Sequence, residues 1–297
     1  HTNVALSLIK KGADVHAKSN NEWMSLHYAC GNGLIDVVNV LLEKGADVTN
    51  PGINGWTPIH WACRKGHADV VLSLLLNGAD MNAVNIDQDT PLLLACRYSH
   101  KEVAMILLEK GADVNVKDYN AMTSLYWTCS QGHADVAMAL LEKGADVYTK
   151  NSLGMTTLHW SCSRGHVEVV NALLEKGVNI HSYTSNKETS LYYACINGHV
   201  EIVNLLMEKG ADMHVEDIYG RTLLHHACKN GHVKVVNVLI DWGAYLYINQ
   251  GEMPPLHHAC MNGHVEVVNL LMEKGADIHI KDLNEELPIH HACYNGH

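Results

Sequence analysis

Asn54-Gly-Trp-Thr-Pro-Ile-His-Trp-Ala-Cys-Arg-Lys-Gly-His-Ala-Asp-Val-Val-Leu-Ser-Leu-Leu-Leu-Asn-Gly-Ala-Asp80 carries the punctuation of two short helices set back to back. Thr57 is a good N-cap, Pro58 suits the first helical position because its missing N–H needs no partner there, and Gly66 supplies the left-handed residue that ends the helix. A second helix follows at once. In Val265-Glu-Val-Val-Asn-Leu-Leu-Met-Glu-Lys274 the apolar residues Val265, Val268, Leu271 and Met272 keep helical spacing, with Glu266, Asn269, Glu273 and Lys274 on the other face. Acids at Asp69, Asp135, Glu168, Glu201 and Glu266 fall in the first turn, where the helix dipole favours them, and Gly275 marks the end. Helices of about 8 to 10 residues are not stable alone in water, so each pair must bury its apolar face against the next pair.

Working outward, the same unit recurs along the chain. Gly-Ala-Asp begins at Gly12, Gly45, Gly78, Gly111, Gly144, Gly210 and Gly275, with degenerate copies at Gly177 and Gly243. All nine cysteines keep the same clock: Cys30, Cys63, Cys96, Cys129, Cys162, Cys195, Cys228, Cys260 and Cys293 are 33 residues apart, except for one step of 32 between Cys228 and Cys260. That shorter step reads as a one-residue deletion in the loop where the segment from Gly243 runs into Asn249.

Thr57-Pro58-Ile59-His60, Gly66-His67, a Val-Val and Leu-Leu helix and Gly78-Ala79-Asp80 together resemble the ankyrin repeat, a 33-residue unit with a T-P-L-H-x-A signature. The resemblance covers the chain as eight full repeats at 19–51, 52–84, 85–117, 118–150, 151–183, 184–216, 217–248 and 249–281, flanked by half-repeats 1–18 and 282–297. It implies an all-α repeat solenoid, helix-turn-helix plus a β-hairpin or loop per repeat, with hairpin tips and first helices lining a concave groove. It also implies that the Thr-Pro-Leu-His ring hydrogen-bonds locally and to the neighbouring hairpin. Departures are Met24-Ser25 for Thr-Pro, Leu93 for His, Ser99 for the helix-ending Gly, and Pro254-Pro255. Both ends fall mid-repeat without a polar cap, so the chain reads as a fragment of a longer array whose terminal half-repeats expose apolar surface.

Composition excludes several classes of function. Apolar residues make up 47% and charged residues 18%, which argues against disorder, and no apolar run is long enough for a membrane span. A net charge of −11 argues against nucleic-acid binding through phosphates and favours basic or apolar partners. The 22 histidines sort by repeat position, and the adjacent pairs His225-His226, His257-His258 and His290-His291 point roughly 100° apart on a helix, so no pair chelates a metal by itself. The cysteines sit in an apolar slot too far apart for disulfides, so they read as buried free thiols of an intracellular protein, cytoplasmic or nuclear. No nucleophile with base and orienting acid stands outside the repeat clock, nor a phosphate-cradling loop. The expectation is therefore no enzymatic activity, no cofactor, no metal and no small-molecule substrate.

One slot breaks the monotony. The residue after Thr-Pro-Leu-His reads Tyr28, Trp61, Leu94, Trp127, Trp160, Tyr193, His226, His258 and His291, an aromatic ladder followed by an imidazole ladder. Arg64, Lys65, Tyr98 and Arg164 lie on the adjacent exposed turn, and Trp23 and Trp56 on the hairpins extend the patch. Tyr, Trp and Arg are the residues of interface hot spots. The expected function is a scaffold that binds a protein through the concave face of repeats 1 to 6, with Trp23, Trp56, Trp61, Arg64, Lys65, Tyr98, Trp127, Trp160, Arg164 and Tyr193 as contacts. Replacing Trp127 with Ala should then weaken the partner by roughly 2 kcal/mol or more. The alternatives are a regulatory or targeting segment of a larger enzyme, channel or ubiquitin-ligase adaptor, and rings that merely pack between helices. A second irregularity, Asp241-Trp242 followed by Tyr245 and Tyr247, lies beside the deletion.

Overall fold

The computed structural model describes residues 2–247 and 253–297; His1 and the stretch 248–252, which holds the expected deletion and one repeat boundary, lie outside them. Among the described residues there are 18 α-helices, one 3-10 turn at Ile53–Gly55 and no sheet. The only strand-like pairings among them are isolated bridges, Lys18 with Met24 and Glu216 with Thr222, so the hairpins are loops closed by turns.

The chain forms two compact units, His1–Asn151 and Ser152–His297. In the first, the first helices Ser25–Gly31, Pro58–Lys65, Pro91–Arg97 and Ser124–Gln131 stack in order. The second helices Thr2–Lys10, Ile35–Glu43, Ala68–Leu76, Lys101–Lys110 and Ala134–Glu142 form a parallel row, and each first helix packs on the second helix that follows it. The second unit repeats the plan, with first helices Thr157–Arg164, Ser190–Ile196, Leu223–Lys229, Pro255–Met261 and Pro288–Tyr294. Its second helices are Val167–Glu175, Val200–Glu208, Val233–Asp241 and Val265–Glu273.

The apolar stripe of the second helix differs in phase from the sequence reading. Val265 and Met272 are exposed, whereas Val267 and Leu271 are buried, and the same two positions are buried as Val70 and Leu74 or Val169 and Leu173. A nine-residue helix carrying this many apolar residues fits two phases equally well; contact with the neighbouring helices selects the one through Val267.

The histidines explain how units lock together. Thr57 N–H donates to His60 Nδ1 (3.2 Å), and His60 Nε2 then donates to the carbonyls of Ala83 (3.0 Å) and Asp89 (3.1 Å) in the next hairpin. His27 and His159 make the same clamp through Met24 and Thr156 on one side and the Asn50 and Ser182 carbonyls on the other. Five rings of this slot are at most 1% exposed, but His290 is exposed and makes only the local half of the clamp, accepting from Leu287 N–H at 3.1 Å. The cysteines divide likewise: all are free and eight are buried, but Cys293 is exposed.

The Gly-His dipeptide that ends most first helices, replaced by Gly33-Leu34 in repeat 1 and Ser99-His100 in repeat 3, is a second lock. Gly66 adopts φ 77°, and His100 of the next repeat occupies the space a Cβ there would need, while its Nε2 donates to the Arg64 carbonyl at 2.9 Å. In repeat 3 the residue at this left-handed position is Ser99, at φ 64°. Ser99→Gly is expected to stabilise the first unit by about 1 kcal/mol, because a Cβ is strained in that region. A urea midpoint that does not rise would contradict this.

Candidate partner-binding site

The slot after the clamp histidine reaches back nine residues to the base of its own hairpin. Tyr28 donates its hydroxyl to Ser19 Oγ (3.4 Å), Trp127 its indole N–H to Asp118 Oδ2 (3.0 Å), and His226 and His291 meet Asp217 (3.1 Å) and Asp282 (2.8 Å). The polar atom of the ring is thus matched to the hairpin residue. This alters the expected imidazole ladder: His226 and His291 are buried, as is Leu94, and they do not form an open surface.

Repeat 2 lacks that partner because Gly52 stands at the hairpin base, and the space its Cβ would fill is taken by the Trp23 ring. Trp23 and Trp56 precede the helix caps Met24 and Thr57, while Trp61 and Arg64 sit one turn apart on the same helix. These rings converge. Trp23 meets Tyr28 at 5.3 Å and Trp61 at 4.8 Å, and Trp56 meets Trp61 at 4.9 Å. The Arg64 guanidinium lies over three rings, Trp56 at 5.3 Å, Trp61 at 5.6 Å and Tyr98 at 5.3 Å. Each such contact contributes about 0.5 to 1 kcal/mol at a part-exposed site. Tyr98 and Tyr28 remain exposed, Trp23, Trp56, Trp61 and Arg64 half-buried, and Lys65 exposed on the rim. The indole N–H groups of Trp23 and Trp61 are buried without an acceptor.

Beside this cluster is a network absent from the sequence reading. Arg97 grips Asp89 with both Nη atoms (2.8 and 2.6 Å) and reaches Asp118 at 2.5 Å, while its guanidinium stacks on Trp127 at 4.8 Å. Asp89 and Asp118 are 2% and 5% exposed. Burial pushes the Asp89 carboxyl up against the opposing pull of Arg97. Burial also works against the Arg97 charge, but the hydrogen bonds and charges of the two aspartates outweigh it and raise the guanidinium. Trp127 is therefore braced within the unit.

A family model described as ankyrin repeats in three copies matches residues 1–85, 72–151, 144–217, 209–282 and 256–297, which together span the chain. The chain belongs to the ankyrin-repeat family. Ankyrin repeats are generally protein-interaction modules and typically non-catalytic. No curated protein matches this one. Among the described residues no helix is long and apolar enough to cross a membrane.

In the second unit the ankyrin repeats present smaller groups. Arg164, exposed, lies over Trp160 at 5.8 Å. Tyr193 meets the His159 ring at 5.9 Å and donates its hydroxyl to Glu188 at 2.6 Å. The irregular Tyr247 ties repeats together. Its hydroxyl donates to the Gly275 carbonyl and accepts from Asp277 N–H, both at 2.6 Å, bridging successive repeats as Asn115 does between Gly144 and Asp146. Burial pushes the Cys96 thiol up to about 11, and the other buried thiols that shift move the same way, so these are not thiolate nucleophiles at neutral pH.

Proposed function

We propose that this ankyrin-repeat chain is a non-catalytic scaffold that holds another protein, docked on the first-helix and hairpin face of its first unit. The observation that carries this reading is the convergence of Trp23, Trp56, Trp61 and Tyr98 on Arg64 at a part-exposed surface, with Lys65 at the rim. Large rigid rings and an arginine are the side chains that concentrate binding energy, because they bury much area at little entropic cost. Trp160, Arg164 and Tyr193 form a subsidiary contact in the second unit. Trp127, tied to Asp118 and Arg97, positions the surface more than it offers itself. The net charge of −11 suits a basic or apolar partner segment. Free buried thiols support an intracellular setting.

Peptides selected from a random display library against the 297-residue chain provide the test. Trp56→Ala and Arg64→Ala are each expected to weaken the selected binders by about 2 kcal/mol or more, with urea midpoints changing less. Binders indifferent to both substitutions would overturn the assignment of this face.

A further inference from the structure

We propose that His257, Asp282 and His291 form a binding site for a divalent transition-metal cation such as Zn²⁺. One ring nitrogen of each histidine and one oxygen of Asp282 lie within 4.8 Å of one another. Two imidazoles and a carboxylate are a donor set that Zn²⁺ accepts, with a fourth position left for water or an incoming ligand, whereas Mg²⁺ and Ca²⁺ prefer oxygen.

The fold presents these atoms in advance. Asp282 Oδ1 accepts the backbone N–H groups of Asn284 (2.8 Å) and Glu286 (2.9 Å), which fixes the carboxylate and leaves Oδ2 to meet His291 Nε2 at 2.8 Å. The His257 ring stands against the His291 ring at 5.3 Å, and its Nε2 faces the same hairpin, 3.0 Å from the Glu286 carbonyl. A cavity of about 300 Å³ lined by Met261, Glu286, His290, His291, Tyr294 and Asn295 opens beside His291.

Two departures from the repeat turn this arrangement towards a cation. In the other clamps a backbone N–H donates to Nδ1, as Thr222 does to His225 at 3.1 Å, so the neutral ring must carry its proton on Nε2 and has no lone pair there. At His257 the cap residue is Pro254, which has no N–H, and Nδ1 is buried without a partner. The proton is free to move to Nδ1, releasing the Nε2 lone pair. The second departure concerns charge. The related pair His226 and Asp217 has Arg221 on the same carboxylate oxygen at 2.7 Å, a cation already in place, and Tyr192 where His257 would stand. Four residues after Asp282 the corresponding position is Glu286, whose carboxylate lies 3.4 Å from His291 Nε2. The basic residue has become acidic at the place where, among the described residues, two histidines face one aspartate.

On binding, the cation takes the place of the proton between His291 Nε2 and Asp282 Oδ2, and in the neutral ring that proton passes to Nδ1. At His257 a proton passes from Nε2 to Nδ1, with no net change. Both rings thus stay neutral, and no proton need leave to solvent.

Calorimetric titration of the 297-residue chain with Zn²⁺ at pH 7.5, with Mg²⁺ as comparator, tests the proposal. The expected result is one Zn²⁺ site, no response to Mg²⁺, and an affinity at least tenfold lower in Asp282→Asn. Pro254→Thr, which restores the capping N–H and locks the His257 proton on Nε2, is expected to weaken Zn²⁺ about tenfold or more while the chain melts no lower. Glu286→Arg, at an exposed position, should do the same. Zn²⁺ affinity within twofold of the parent in all three variants would assign binding to other histidines and overturn the site, as would no binding by the parent chain.

Discussion

Arg97→Met is expected to destabilise the first unit by about 3 to 5 kcal/mol, the range seen when one partner of a buried ion pair is removed. Asp89 and Asp118 are 2% and 5% exposed, and Arg97 is the only cation the structure places on either of them among the described residues. Without it two carboxylates face each other in a poorly solvated pocket, and the compensating donors, the backbone N–H groups of Asn120 and Met122 and the Trp127 indole, all lie on Asp118. Methionine keeps much of the stem that lies on Trp127, so the loss reports charge more than packing. Two further outcomes follow from the same cause. Adding Asp89→Asn and Asp118→Asn should recover most of the loss. The deficit should also shrink as pH is lowered towards 4: burial already pushes the Asp89 carboxyl up, and removing Arg97 takes away the pull that opposes it, so protonation favours the folded variant. Urea unfolding of the single and triple variants at pH 7 and pH 5 measures all three quantities. A single-variant loss below about 1 kcal/mol would mean that the aspartates reach water.

Why this network escapes a reading of the sequence is instructive. Arg97 follows a Cys and precedes a Tyr on a turn that is open in most repeats, so it reads as part of a solvated basic rim. Its partners lie eight residues before it and twenty-one after it, in different hairpins, and only stacking brings them together. The repeat period is legible because caps and left-handed glycines are local features, whereas the phase of the second helix and the far side of the histidine clamp depend on neighbours. The position of Trp61 is legible too, but its surroundings are not. They depend on Gly52, whose missing side chain admits Trp23. A local signal does exist for the paired rings: Trp127 with Asp118, His226 with Asp217 and His291 with Asp282 all stand nine residues apart. The expectation of no metal comes from histidines adjacent on one helix. Of the groups that do meet, His291 and Asp282 share that nine-residue spacing, but His257 belongs to the preceding repeat and only the stack brings it to them.

The second large effect is with acid. Burial lowers the imidazole pKa of His60 to about 4, and burial aided by His258 and His226 lowers His225 to about 3. His258 falls to about 4 for the same first reason, reinforced by Arg221, and His27, His226 and His257 are lowered as well. An unfolded imidazole titrates near 6.5, so between that value and the folded one the unfolded chain binds more protons. The stability these neutral rings supply is therefore complete above pH 6.5 and is lost as pH falls towards 4, at about 1.4 kcal/mol per pH unit for each ring. His27 and His60 belong to the first unit, and His225, His226, His257 and His258 to the second. Moving from pH 7.5 to 5.5 should thus cost the first unit on the order of 2 kcal/mol and the second on the order of 4 kcal/mol. Asp89, pushed up by burial, opposes this in the first unit, whereas three other aspartates do not. Burial works against the charge of Asp135, Asp217 and Asp282, yet their hydrogen bonds prevail and hold the carboxyls below the usual range, so their contribution is lost only at lower pH and with the same sign. Hydrogen exchange at the two pH values, corrected for intrinsic rates, should show protection falling first in the helices Leu223–Lys229 and Pro255–Met261, and later in Pro58–Lys65. Equal protection in both units at pH 5.5 would show that the C-terminal rings accept protons without leaving the fold.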